Sequence, residues 1–436
     1  MRDAALITTF SLLLAAVLVQ PFIGILLWNW IAFMNPHRLA YGFAAELPWA
    51  AIVVLVTLVG CVMAGELRLP PLNATTLLLS ALMLCFTATS IVALGEPAAV
   101  WEKWDRSMKV LLGLLLTMAM LTNRLRLHAL IWVMVISLGY YGVRGGLFAL
   151  VTGGSYRVWG PPQTMITDNN HLAAALLISL PLMNYLRLQS AHRAVRIGLA
   201  VAMGLTLLAV VSSYSRGALL GLGAVLFVLW LMSARKIVLG AGLALCLTGV
   251  VAFMPGGWSD RMNGITSYQT DESASERLVL WGISWQLAVD RPWVGSGFTG
   301  PYNRSVVDRV APGGPARAVH SIWFELLGEQ GFPTSIIWAA LSAFGLLHAR
   351  SLCRLARAHP GLSWAGDLGR MGMLSIVAYL VSGSFLSLSY WDFYWTLLVT
   401  LASARGLALA SVELPAQRVR SALPAGGGWR AATRPA

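Results

Sequence analysis

Three short stretches carry side chains whose types and spacing suit chemistry on an anionic substrate. Ser212-Ser213-Tyr214-Ser215-Arg216-Gly217 falls between two apolar runs. A guanidinium placed there can grip phosphate through two parallel bonds of its planar fork. The neighbouring serines, Ser215 among them, and Gly217 would let a ligand approach closely. The alternative is an interfacial arginine snorkelling to lipid headgroups. Glu276-Arg277-Leu278 supplies a second arginine, either a solvated surface residue or a second phosphate ligand, since a diphosphate bears more charge than one arginine offsets. His320 opens His320-Ser321-Ile322-Trp323-Phe324-Glu325-Leu326-Leu327-Gly328-Glu329-Gln330-Gly331. An imidazole with an ordinary pKa near 6.5 can accept a hydroxyl proton at neutral pH, although a lone histidine is more commonly structural. Asp168-Asn169-Asn170-His171 reads first as a helix N-cap, with Asn170 and His171 as candidate substrate contacts. Tyr390-Trp391-Asp392 fits an aromatic belt, and Tyr390 is a further candidate contact.

Other chemistries find no support. Gly295-x-Gly297 lacks the strand and helix that a dinucleotide fingerprint requires. There is no DxD pair, no HExxH and no carboxylate cluster, so neither a metal nor another cofactor is called for. Cys61, Cys85, Cys246 and Cys353 are scattered, without a CxxC pair, and read as free thiols.

The elements that must position these residues are membrane helices. Hydrophobic residues make up 57% of the 436 and charged ones 11%, against roughly 25% charge in soluble domains. Apolar runs lie at about 4–34, 48–64, 72–94, 108–122, 127–143, 172–186, 197–213, 217–232, 237–254, 332–348, 371–389 and 391–408. With about 20 apolar residues per span, they predict an all-α polytopic fold of about 12 transmembrane helices. Residues 1–410 form one integral domain, followed by a disordered cytoplasmic tail at 411–436. The opening run resembles a signal peptide but has no convincing cleavage site before Gln20-Pro21, so a retained anchor is expected, kinked or split by Pro21.

The net charge of +13 does not imply nucleic acid, because the basic residues sit in short loops, as the positive-inside rule expects. Arg124, Arg126, Arg187, Arg193, Arg196, Arg235, Lys236, Arg350, Arg354, Arg357 and Arg370 are then cytoplasmic, with the tail. Both termini fall inside if the first run is a single kinked span. Segments near 144–170, 213–216 and 254–331 fall outside. The last is a long loop of balanced charge. Within it Ser273-Ala274-Ser275-Glu276 has capping-box spacing, and Leu278, Trp281, Trp285 and Ala288 recur at helical period up to Asp290-Arg291-Pro292. An amphipathic helix is expected there.

At these residues the chain resembles the O-antigen ligase and polymerase superfamily of membrane glycosyltransferases. The resemblance rests on Ser215-Arg216-Gly217, on Glu276-Arg277-Leu278 with Pro292-Trp293-Val294-Gly295-Ser296-Gly297, and on His320 with Glu329-Gln330-Gly331. Met34-Asn35-Pro36-His37-Arg38, Tyr41-Gly42-Phe43 and Asp168-Asn169-Asn170 are similar to a subgroup described as O-glycosylation ligases of exosortase-associated systems. The chain departs from it in carrying His171 where an acidic residue is expected.

The resemblance implies a helical fold of the C-type glycosyltransferase kind in the bacterial inner membrane. The implied activity is metal-independent transfer of a glycan from undecaprenyl diphosphate to a hydroxyl of lipid A core or protein. Arg216 and Arg277 would bind the diphosphate, and His320 would activate the acceptor at the periplasmic face. A polymerase of the same superfamily shares this donor chemistry. A lipid-linked glycan transporter or flippase is the rival from another class, and the near absence of ionisable residues inside the apolar runs weighs against it.

Overall fold

A membrane chain must satisfy its own backbone hydrogen bonds, which favours helices wherever the sequence is apolar. The structure, a computed structural model, describes residues 2–40, 42–258 and 272–422. Tyr41, Asp260, Arg261 and Asp271 of the sequence reading lie outside them. Among the described residues the protein is all-α without a β-sheet, and seven of its helices are long and apolar enough to cross a membrane. The helices are α1 (Arg2–Val19), α2 (Phe22–Met34), α3 (Trp49–Met63), α4 (Ala74–Ile91), α5 (Pro97–Met120), α6 (Arg124–Val151), α7 (Asn169–Gln189), α8 (Arg193–Val211), α9 (Arg216–Met232) and α10 (Lys236–Phe253). They continue with α11 (Glu272–Asp290), α12 (Arg304–Val307), α13 (Ile322–Ala358), α14 (Ser363–Gly383) and α15 (Asp392–Ala422). The rest of the tail expected from residue 411 lies outside the described residues.

Helix α7 is the central post, largely buried against α6, α8, α9 and α14. Small residues set the tightest crossings. A Cβ on Gly146 would stand 2.2 Å from the Leu205 carbonyl oxygen of α8, and one on Gly369 2.5 Å from that of Ala349 in α13.

The loops sort to two ends, as the charge pattern predicts. At one end Arg126 donates to Glu66 at 2.7 Å, Arg124 to Gln189 at 3.1 Å and Gln189 to Asp367 at 2.7 Å. At the other, Tyr214 donates to the Gly154 carbonyl at 2.8 Å, and the Leu94 amide to the Ser296 carbonyl at 2.8 Å. The candidate residues are all at this second end.

The first apolar run departs from the single kinked span. It is an antiparallel pair, α1 and α2, meeting at Gln20-Pro21. Arg2 donates to the Leu39 carbonyl at 3.3 Å, and Asp3 accepts the Gly42 amide at 3.3 Å. The start of α1 therefore lies beside the segment that follows α2, at the end of the candidate site and opposite the end of α15. Pro21 lacks the amide that would continue α1, and the run is long enough for two crossings, although each helix alone is short.

The amphipathic helix exists, but its buried stripe is rotated from the predicted one. Leu280, Ile283, Ser284, Leu287 and Ala288 are buried, whereas Leu278 and Trp285 are exposed. The helix packs against α13 along that face, so the smaller side chains go inward. It starts at Glu272, before Ser273, whose side chain lies outside the described ones, and Glu276 of the expected capping box pairs with Arg317.

Helix α13 is broken at Gly331, whose φ of 73° and ψ of −175° interrupt it ahead of Pro333. Pro292-Trp293-Val294-Gly295-Ser296-Gly297 clasps the break. The amides of Ser296 and Gly297 donate to the carbonyls of Gly328 (2.9 Å) and Glu329 (2.8 Å), and that of Phe332 to the Pro292 carbonyl (2.9 Å). The glycines of this segment are thus structural. A Cβ on Gly331 would meet the Pro292 oxygen at 2.7 Å, and one on Gly295, at φ 60°, the Glu329 carbonyl carbon at 2.7 Å. Backbone of the Gly331 kind is nearly closed to other residues and costs about 1–3 kcal/mol before any clash. Gly331→Ala is therefore expected to lower the unfolding temperature in detergent by several degrees. An unchanged midpoint would show that the clasp is dispensable.

Candidate active site

The starts of α7, α9 and α13, the first half of α11 and the α14–α15 loop build the site. Ser215 caps α9, its Oγ accepting the Ala218 amide at 3.2 Å, so Arg216 is the first helical residue. The turn before it is tight: Tyr214 has φ 61°, and the Ser215 amide donates to Ser213 Oγ at 3.2 Å. Asp168 caps α7 as predicted, accepting the amides of Asn170 (2.7 Å) and His171 (3.1 Å). Asn169 donates to the Ser213 carbonyl at 2.7 Å, which fastens the starts of α7 and α9 together.

The loop between α14 and α15 brings in the third start, that of α13. Phe385 lies against Gly217, 3.4 Å from where a Cβ would sit. Its ring is 6.5 Å from that of Trp281, one turn beyond Arg277 on α11. Trp281 stacks on Phe324 at 5.2 Å and donates to the Val319 carbonyl at 3.1 Å. Arg277 and Arg216 thus belong to helices that both pack against this loop, and both are partly buried.

His320 sits between these elements with φ 54°, a left-handed conformation uncommon outside glycine. Its amide donates to Ser387 Oγ at 2.9 Å, and Ser389 Oγ, whose proton goes to Glu325, lies 3.0 Å from the Ile322 carbonyl. The α14–α15 loop thus borders the residue on both sides. Its ring feels Arg277, His171, Asp168 and Glu325. Burial first, then the positive charge of Arg277, lowers its pKa to about 4, opposed by the carboxylates of Asp168 and Glu325. His320 is therefore neutral at pH 7, the state in which an imidazole nitrogen can accept a proton. His171 turns to Asp168, its ring Nδ1 in hydrogen-bonding contact with the carboxylate. Burial would raise the pKa of that carboxylate, but hydrogen bonds from the His171 ring and from the amides of Asn170 and His171 bring it below the ordinary range. Glu276, beside Arg277, pairs with Arg317.

Tyr390 does not join this group. Its hydroxyl donates to Glu329 Oε2 at 2.7 Å, deep in a cluster that the sequence reading missed. Lys103 of α5 lies 2.8 Å from Glu329 Oε1 and 3.6 Å from Glu325 Oε1, and 4.4 Å above the Tyr390 ring. Glu329 is fully buried and Glu325 nearly so. Tyr302 donates to Glu325 at 3.0 Å, Ser389 to its other oxygen at 2.7 Å, and the Thr299 amide to Glu329 at 3.0 Å. The cluster locks α5, the first turns of α13, the 296–302 loop and the α14–α15 loop into one piece beneath His320. One available signal was the i, i+4 spacing of Glu325 and Glu329, which puts two carboxylates on one helix face and calls for a cation. Lys103 is 226 residues from Glu329 in sequence, so nothing local names it.

Among the described residues no group of three or more His, Cys, Asp or Glu side chains is arranged to hold a metal ion.

Two family models match parts of the chain. Residues 201–339, which carry Arg216, Arg277 and His320, are similar to the family described as O-antigen ligase. Residues 1–191 match a family of unknown function (DUF5935). No curated protein matches the chain.

Proposed function

We propose that the protein is a membrane glycosyltransferase that moves a glycan from undecaprenyl diphosphate to an acceptor hydroxyl of lipid A core or protein. The observation that carries this reading is the placement of His320, neutral and held by its backbone, where Arg277 acts on its ring and the α14–α15 loop joins it to the start of α9 at Arg216. The similarity of residues 201–339 to O-antigen ligases supports it. Arg216 and Arg277 bind the diphosphate and neutralise the charge that develops as it leaves. His320 takes the proton of the acceptor hydroxyl as its oxygen attacks the anomeric carbon, and the diphosphate departs with the electron pair of the broken bond. One displacement inverts that carbon. Residues 1–410 serve as one integral unit of the C-type glycosyltransferase kind, with the α1–α2 pair adding a crossing to the twelve or so expected. The site end faces the periplasm, because the arginines between spans crowd the opposite end.

The deciding experiment incubates purified protein with lipid-diphosphate glycan and candidate acceptors and resolves the products by mass. The expected product is acceptor carrying the glycan, with undecaprenyl diphosphate released. A repeat-extended glycan still on the lipid identifies a polymerase. Lys103, half-buried beside the buried Glu325 and Glu329, makes the kind of enclosed charge cluster on which transport readings rest, and intact donor moved across a vesicle membrane would identify a transporter instead. In the same assay Arg216→Lys is expected to reduce donor use about tenfold or more, because an ammonium cannot reproduce the two parallel bonds of a guanidinium. Wild-type donor consumption by this variant would exclude the phosphate clamp.

A further inference from the structure

The N-terminal part, residues 1–191, contains two adjoining spaces that the transferase reading does not use. At the site end, a cavity of about 870 Å³ is lined by Arg2, Arg38, Arg144 and Arg157 together with Trp30 and Trp159, and no Asp or Glu is among its described lining residues. Below it an apolar groove of about 620 Å³ runs along α6, lined by Trp132, Ile136 and Leu147 of that helix and by Met183, Leu199 and Ala202 of α7 and α8. Tyr140 and Arg144 line both, so groove and cavity adjoin at these two side chains.

We infer that these adjoining spaces together bind a phosphate-bearing glycolipid, with its acyl chains in the groove and its anionic sugars in the cavity. Charge complementarity is the first reason. Four guanidinium groups around one cavity repel one another and favour an occupant with several negative charges. Size and lining are the second. The cavity lies in the range of volumes that hold whole small-molecule ligands, far more than a single phosphate fills. Its exposed indole, Trp159, offers a face for a sugar ring to stack on.

The third reason is position. The 157–168 segment forms a cavity wall at Arg157 and Trp159 and ends at Asp168, the cap of α7 that acts on His320. The Val158 amide donates to the Ser212 carbonyl at 3.3 Å, and the Arg157 guanidinium lies 5.9 Å above the Tyr214 ring. The cavity therefore shares a wall with the turn that carries Arg216. If the proposed transferase reading holds, the lipid bound here is the acceptor, its sugars reaching past that wall to His320. Binding itself does not depend on that reading.

The test measures binding without donor, with the full chain in nanodiscs of net-neutral lipid. The probes are a bisphosphorylated, acylated disaccharide, the same compound after phosphatase treatment, and phosphatidylglycerol. The phosphorylated glycolipid is expected to bind at least about tenfold more tightly than its dephosphorylated form, with a similar loss in Arg144→Ala, where charge-assisted bonds are removed. Ala202→Trp, which fills the groove, should weaken binding while sparing the arginines. Both variants should elute and melt as the parent protein does and should retain undecaprenyl-diphosphate binding. Equal binding of the dephosphorylated compound overturns the inference, as does equal competition by phosphatidylglycerol, which would make the space an ordinary anionic-lipid contact. Selective binding in a protein that transfers no glycan would leave the inference standing and remove the transferase reading alone.

Discussion

His320→Ala is expected to lose about 10²–10⁴-fold of single-turnover glycan transfer, the range that a positioned general base contributes, while donor binding persists. The acceptor hydroxyl must shed a proton as it attacks, whereas a diphosphate leaves readily once its charge is offset. The pH profile adds a second readout. Burial, then Arg277, lowers the His320 pKa to about 4 in the resting protein, so the ring stays neutral well below pH 6.5. Transfer under kcat/KM conditions should then hold steady as pH falls from 7 toward 5 and drop as it approaches 4. Bound donor brings negative charge that stabilises the protonated ring, so with saturating donor the fall should move to higher pH. His320→Gln keeps a hydrogen-bonding group and separates positioning from proton acceptance. Near wild-type transfer by His320→Ala, with an unchanged pH profile, would show that this residue is not the base. The left-handed backbone at position 320 costs about 1–3 kcal/mol for a non-glycine residue; here it accompanies the bond that the His320 amide donates to Ser387 Oγ.

Lys103→Met should destabilise the protein by about 3–5 kcal/mol, because it strands buried carboxylates without their cation. Glu329 has no solvent contact, and Lys103 lies 2.8 Å from one of its oxygens and 2.9 Å from the other. Removing the charge at both places should be far milder. Lys103→Met combined with Glu329→Gln is therefore expected to recover much of the loss, a coupling that a double-mutant cycle reads directly. Thermal unfolding in detergent gives the four stabilities. If the double variant loses the sum of the two single losses, the groups do not act as a pair. Because the cluster underlies the first turns of α13, Lys103→Met should also slow transfer in the fraction that remains folded. Donor affinity, set by Arg216 and Arg277, should change less.

The membrane class and the separation of loops into two ends were legible in the sequence, since both follow from hydropathy and from where arginine collects. Arg216, Arg277 and His320 could be singled out as candidates in the sequence, Arg216 because it interrupts two apolar runs and the other two because they stand in the long polar connection between runs. Two local readings failed. The Leu278, Trp281, Trp285 and Ala288 spacing is helical, but an α-helix of this composition offers more than one apolar stripe, and contact with α13 selected Leu280, Ile283 and Leu287. Tyr390 read as an interfacial aromatic, because its partner Glu329 is 61 residues away.

The sequence by itself determined that the chain is a multi-pass helical membrane protein, that Asp168 caps α7, and which arginines and histidine are unusual for their surroundings. These are properties of short windows, where helix period, capping and charge bias act over a few residues. Only the tertiary structure decided that the first run is two antiparallel helices, that α13 breaks where the Pro292–Gly297 clasp meets Gly331, and that Lys103 neutralises Glu329. It alone brought His320, Arg277 and the start of α7 together and left two adjoining spaces beside them. Each of these depends on which helices pack together, and packing pairs residues up to hundreds of positions apart, a distance over which sequence spacing carries no geometric constraint.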